Sequence, residues 1–170
     1  YVSDYKPFNF VDGEGVRCSL YLSGCKFHCE GCYNQATWNF RYGSPYTKEL
    51  EERIMADLSQ SYVQGLTLLG GEPFLNTGVA LPLVKRIRAE LPEKDIWSWT
   101  GYTWEELLQE DETKLELLRN IDILVDGRFK LSKKNLLLQF RGSSNQRIID
   151  VKKSLAEHRV VIWEKLNDGK

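Results

Sequence analysis

No stretch of the 170-residue chain reaches the run of about 18 apolar residues that a membrane-spanning helix needs, so nothing in it is read as crossing a bilayer. Tyr1 to Phe10 lacks a basic segment followed by an apolar one, which excludes a signal peptide there. A first residue other than Met suggests that further residues precede the numbering. Excess charge of either sign is missing too: 23 Lys+Arg stand against 24 Asp+Glu, with a pI near 6.2. That balance argues against a dedicated nucleic-acid binder. There is no low-complexity tract and no internal repeat of the solenoid kind. Cysteine is scarce: four residues, three of them within eight positions. A disulfide framework would spread them, so the grouping points to an intracellular, cytoplasmic metal or catalytic cluster. Length is the last shortage. The chain can bury a real core, about 68–70 % of its unfolded surface. It falls short of the roughly 250 residues of a closed eight-fold β/α barrel.

What is present is an alternation of two periods. Val16 to Ser23 alternates, with Val16, Cys18, Leu20 and Leu22 on one face and Arg17, Ser19, Tyr21 and Ser23 on the other, which reads as a strand. Thr47 is placed to cap a helix to about Gln60. Gly65 to Leu69 reads as a buried strand that stops at Gly70-Gly71. A helix over about 78–91 presents Leu81, Val84, Ile87, Arg88 and Leu91 at helical spacing, with Pro82 tolerable near its first turn. Asp95 to Thr100 is the next strand. Thr103 and Glu106 form a capping box that opens a short helix. A further helix covers about 113–119, and Ile121 to Asp126 is again a strand ended by Gly127. Beyond it, Leu136 to Phe140, Arg147 to Val151 and Arg159 to Trp163 read as extended segments with little helix between them. The expectation is an α/β fold, a mostly parallel sheet with outer helices, in one domain. Its β/α core is expected over about 8–126 and a C-terminal extension over about 127–170.

In such folds ligands bind at the carboxyl ends of the strands. Cys25-Lys26-Phe27-His28-Cys29-Glu30-Gly31-Cys32 follows the first predicted strand and Gly70-Gly71-Glu72-Pro73 the second. Thr100-Gly101-Tyr102 follows the third and Asp126-Gly127-Arg128 the fourth. Four unusual stretches thus fall on one rim. The spacing C-x3-C-x2-C offers three soft thiolates, suited to iron–sulfur clusters, zinc or Cu(I). A structural zinc site wants four ligands. Three thiolates on a four-iron cube leave one iron open, which favours a catalytic cluster; a zinc loop completed by His28 or Cys18 is the alternative. Cys18 itself reads as a small buried hydrophobe. His28 reads as solvent-exposed or locally bonded. Gly70 and Gly71 permit close backbone approach and unusual dihedrals. Glu72 either touches a bound group or orients its loop. Asp126 and Arg128 are either a turn with a surface ion pair or a carboxylate and guanidinium facing the site. Trp38, Trp97 and Trp99 are read as packing residues. Asn145-Gln146-Arg147 is either a plain loop or an element that docks a partner or lines the site.

The three-cysteine spacing followed by Gly-Gly-Glu-Pro resembles the radical S-adenosylmethionine enzymes. Further stretches resemble, more narrowly, the branch that activates anaerobic (class III) ribonucleoside-triphosphate reductases. These are 11–18, Gly31-Cys32-Tyr33-Asn34, Thr37-Trp38, 95–97, 99–102, 125–129 and 141–147. Many members of the wider family carry an aromatic residue just before the third cysteine. Here Gly31 stands there and Tyr33 follows, as in the narrower branch.

The resemblance implies an open partial (β/α) barrel. It implies that Cys25, Cys29 and Cys32 hold a [4Fe-4S] cluster whose open iron chelates S-adenosyl-L-methionine. Gly31, Cys32, Tyr33, Gly70, Gly71, Glu72, Asp126 and Arg128 would border that cofactor, and Thr100 to Tyr102 its ribose or adenine. Reductive cleavage would yield a 5′-deoxyadenosyl radical that abstracts hydrogen from a glycine of the large reductase subunit. An electron donor such as a flavodoxin or ferredoxin-type protein would reduce the cluster. An activase of a different glycyl-radical enzyme, or a non-enzymatic zinc-binding adaptor, is the competing reading. The shortage of strands then has a purpose: a barrel left open admits a loop of a large protein.

Overall fold

The computed structural model describes residues 1–31, 35–135, 140–141 and 143–163. Six strands form one sheet whose spatial order is their sequence order. They are β1 (Val2–Asn9), β2 (Arg17–Leu22), β3 (Gly65–Gly70), β4 (Asp95–Trp99), β5 (Ile123–Asp126) and β6 (Arg147–Asp150). β2 to β5 run parallel. β1 and β6 close the two edges antiparallel. The expected mostly parallel sheet is therefore mixed. β1 is the strand that sequence patterning missed. It is an edge strand with Pro7 inside it, and an edge tolerates the missing N–H.

Among the described residues five α-helices lie between and after the strands: α1 (Lys48–Leu58), α2 (Thr77–Glu90), α3 (Trp104–Leu107), α4 (Glu112–Arg119) and α5 (Val151–Glu157). Their starts follow from short polar side chains. Leu50 N–H donates to Thr47 Oγ1 (3.1 Å), Lys114 N–H to Asp111 Oδ1 (3.0 Å) and Lys153 N–H to Asp150 Oδ1 (3.1 Å). Both arms of the Thr103/Glu106 capping box form, at 3.1 and 2.9 Å.

Two helical readings need correction. α2 buries Ala80, Leu83, Val84 and Ile87, a stripe shifted from the expected one, and Pro82 sits inside the helix rather than in its first turn. The C-terminal part holds α5 where little helix was expected. The Asp150 cap and the burial of Val151 and Ser154 outweigh a weak helical pattern. Of the three extended segments, Arg147–Asp150 is β6, and Ile162 makes a single bridge to Ile149. Residues 136–139 lie outside the described part.

Strand alternation sorts side chains onto two faces. Cys18, Leu20, Leu22, Leu66, Leu68, Ile96, Leu124 and Ile149 join the helices in the main core. Trp97, Ile123, Val125 and Ile148 form a smaller cluster apart from it, with Trp99, Phe140 and Trp163 against it. Arg17 and Ser19, expected on a polar face, are fully buried. The Arg17 guanidinium donates to Thr67 Oγ1 (2.7 Å), Leu66 O (2.9 Å) and Glu14 O (2.9 Å) and pairs with Asp95 (2.6 Å). Thr67 Oγ1 in turn donates to Asp12 O (2.7 Å). The loop between β1 and β2 is thus tied to the sheet. Among the described residues no helix is long and apolar enough to cross a membrane.

Candidate functional site

The carboxyl ends of β2, β3, β4 and β5 open into one cavity of about 380 Å³. Cys25 and Cys29 line it together with Gly70, Gly71, Glu72, Thr100, Gly101 and Gly127. All four rim stretches singled out in the sequence contribute. Cys32 and Tyr33 lie outside the described residues. Gly31 has φ +73°, and a Cβ there would come within 2.8 Å of Leu131.

The rim is built by backbone stitching. Gly71 N–H donates to Leu22 O (2.7 Å) and Glu72 N–H to Gly24 O (2.7 Å), so the loop after β3 is bonded to the start of the cysteine loop. Gly70 has φ +109°, and a Cβ on it would collide with the Leu22 backbone. A Cβ on Gly71 would stand 2.6 Å from Gly24 O. These glycines let two loop backbones touch beside the thiols.

Glu72 is fully buried, and its carboxylate is a hub. Oε2 accepts from Thr100 Oγ1 (2.8 Å) and Phe74 N–H (3.0 Å), and Oε1 from Gly101 N–H (2.6 Å). It ties the rim loop of β3 to that of β4. Burial pushes its carboxyl up to about 7, against the pull of those hydrogen bonds. Burial likewise pushes the Cys25 thiol up to about 11, although the backbone N–H groups of Phe27 and His28 bond its sulfur and act the other way. A thiolate here calls for a cation beside it.

Asp126 and Arg128 do not pair with each other. Asp126 is buried, accepts from Trp104 N–H (2.8 Å) and pairs with Arg147 (2.5 Å), whose guanidinium also reaches Glu105 (2.8 Å). Asp126 lines a second, polar pocket with Thr103, Glu105, Arg128 and Lys130 rather than the main cavity. Arg128 pairs with Glu106 (3.1 Å) and lies 4.4 Å over the Phe27 ring. The segment Asn145-Gln146-Arg147 braces this turn. Asn145 Nδ2 donates to Arg128 O (2.8 Å) and Gln146 Nε2 to Gly127 O (3.0 Å).

Sequence reasoning missed the aromatic lining. Phe27, Trp38, Trp99, Phe129 and Phe140 all line the cavity. Phe27 fits over Gly101, where a Cβ would meet its ring at 2.5 Å, and packs edge-on against Tyr102 at 5.0 Å. An apolar residue inside a cysteine loop was the signal available. His28 is exposed and stacks on Trp38 at 4.4 Å. Cys18 is fully buried in the main core, as expected. Among the described residues no three or more His, Cys, Asp and Glu side chains are grouped so as to hold a metal ion. Cys32, the third cysteine of the loop, lies outside that set. Two thiols, an adjoining cavity and glycine backbone free of Cβ suit a soft-metal cluster with a small cofactor against it.

Comparisons with known proteins agree on the iron–sulfur cluster. Residues 11–149 match the family described as "4Fe-4S single cluster domain". The "anaerobic ribonucleoside-triphosphate reductase-activating protein" of Vibrio cholerae is 47% identical over 146 residues, 84% of this chain and 92% of that protein. The protein of that name from Escherichia coli K12 is 45% identical, covering 84% and 93%. That of Enterobacteria phage T4 is 44% identical, covering 84% and 88%. With its cysteine loop and glycine rim inside the matched span, the chain belongs to the 4Fe-4S single cluster domain family and, within it, to the anaerobic ribonucleoside-triphosphate reductase-activating proteins.

Proposed function

We propose that this activating protein works as a radical S-adenosylmethionine activase that installs the glycyl radical of the large subunit of anaerobic ribonucleoside-triphosphate reductase. The observation that carries the reading is the convergence of Cys25 and Cys29 with Gly70-Gly71-Glu72 on one cavity. When bound, a [4Fe-4S] cluster and S-adenosyl-L-methionine supply one-electron reductive cleavage and hydrogen abstraction. Cys25, Cys29 and Cys32 hold the cluster through thiolates, leaving one iron open. The backbone of Gly70 and Gly71 receives the cofactor's polar end, and Gly31 and Tyr33 border it. Glu72 fixes the geometry between the two rim loops and borders the cofactor from the cavity wall. Arg128 lies over the Phe27 ring that lines the cavity, and on leaving Glu106 its guanidinium would supply positive charge for a carboxylate there. Asp126 sets the turn that carries Arg128. The aromatic lining excludes water from the cavity.

The strand order supports an open partial barrel. Sequential strands β2 to β5 step in one direction, as in a (β/α) barrel wall, with helices packed on one face and the cavity at the carboxyl ends. The whole chain is read as one domain, since β6 pairs with β5 and Trp163 Nε1 donates to Glu14 (2.8 Å) across it. The unclosed side is where a loop of the reductase enters. A flavodoxin or ferredoxin-type protein is the proposed electron donor, and grouped thiols suit a reducing, cytoplasmic compartment.

The test is anaerobic purification with metal analysis, then turnover with reductant and S-adenosyl-L-methionine. Iron and sulfide in equal amounts, and formation of methionine, are expected. Zinc without sulfide would overturn the reading in favour of an adaptor.

A further inference from the structure

Resting on the reading of this cavity as the cluster and cofactor site, we propose that Trp38 contacts the bound group directly, its indole Nε1–H donating a hydrogen bond to an acceptor atom held beside Cys25. Trp38 lines the cavity with Cys25 and Cys29. It is held from two sides by the cysteine loop. Its carbonyl accepts from Cys25 N–H at 3.2 Å, and its ring stacks on His28 at 4.4 Å with an 18° interplanar angle. Yet its Nε1 is buried and has no hydrogen-bond partner among the described residues.

An indole N–H is a donor only, so no rearrangement of its own proton satisfies it. A buried donor without an acceptor is costly, and native structures rarely keep one unless a bound group, an ion or an ordered water completes it or a functional role explains it; beside this cavity a bound group is at hand. Trp163 shows the ordinary outcome in this same chain, its Nε1 donating to Glu14 at 2.8 Å. Two acceptors fit the chemistry at Trp38: a sulfur of the cluster, or an oxygen or ring nitrogen of S-adenosyl-L-methionine. A donor on a cluster sulfur stabilises the reduced state, because hydrogen bonds to the sulfurs help set the potential.

The experiment replaces the indole of Trp38 site-specifically by benzothiophene, which keeps the bicyclic shape and the His28 stack and removes only the N–H. Trp38→Phe serves as a second variant. The iron and sulfide content, the cluster potential without cofactor, and the affinity for S-adenosyl-L-methionine are measured in the reconstituted full chain. With cluster content unchanged, a reduction equilibrium weakened about tenfold, equivalent to about 59 mV for one electron, assigns the acceptor to a cluster sulfur. About tenfold weaker cofactor binding at unchanged potential assigns it to the cofactor. Either result supports the proposal; potential and affinity both unchanged in the benzothiophene variant overturn it. If Trp38→Phe loses its cluster through lost packing, the benzothiophene variant decides. Failure of the unaltered chain to assemble a cluster would contradict the reading of the site itself and would take this proposal with it.

Discussion

Cys18 and Cys25 stand seven positions apart and have different surroundings. Cys18 faces the main core with no exposed surface, whereas Cys25 is half-buried at the cavity. Cys25→Ala or Cys29→Ala is expected to abolish cluster iron and sulfide. Cys18→Ala should keep the cluster and cost about 1 kcal/mol in denaturant unfolding, the ordinary scale of a small core deletion. Glu72 makes a pH prediction. Its folded-state carboxyl is raised from 4.5 to about 7, so the folded chain keeps a proton that the unfolded chain has released. The metal-free chain should therefore lose stability as pH rises through that window, by up to about 1.4 kcal/mol per pH unit, and stay level above it. Glu72→Gln should flatten that slope in urea unfolding; an unchanged slope would show that the carboxyl does not titrate there. The cysteines and Glu72 stood out in the sequence because chemistry restricts which residue types ligate metal or survive burial. Phe27 and Trp38 did not, since an aromatic ring has the same identity in a core and in a cavity wall.

At the level of elements, glycines at the rim and in a helix separate cleanly. Gly71→Ala would push a Cβ to 2.6 Å from the Gly24 carbonyl, backbone against backbone. A loss of about 1–3 kcal/mol is expected, with weaker cofactor binding. Gly78 in α2 has open space around its missing Cβ, so Gly78→Ala should stabilise by about 0.5 kcal/mol in thermal unfolding. The buried Asp126 carboxylate, paired to the partly exposed Arg147, anchors α3 to β5 and β6. Asp126→Asn is expected to cost about 1–3 kcal/mol, below a fully buried pair because Arg147 keeps contact with water. The parallel strands and capped helices were legible because period and cap residues are local signals. β1 and α5 were not. β1 lies along an edge where exposed positions alternate with half-buried ones, so its inward side chains carry little of the apolar pattern of a core strand. α5 owes its place to packing of Val151 and Ser154 rather than to a clear stripe.

For the whole molecule, the sheet's two edges bear on access. Four parallel strands bring four rim loops to one cavity, and the antiparallel edges β1 and β6 end the sheet instead of continuing it around. A site of this kind suits a substrate that is itself a protein loop. The parallel run β2 to β5 followed from the alternation of strands and helices in the sequence; the antiparallel edges did not, because no α-helix among the described residues links β1 to β2 or β5 to β6 to signal their direction. The most direct measurement of the central claim mixes the reduced, cluster-loaded chain anaerobically with S-adenosyl-L-methionine and the anaerobic ribonucleoside-triphosphate reductase, and records electron spin resonance. The account predicts a glycyl-radical doublet on the reductase, lost with Cys25→Ala. An intact cluster and cleaved cofactor with no doublet would contradict it.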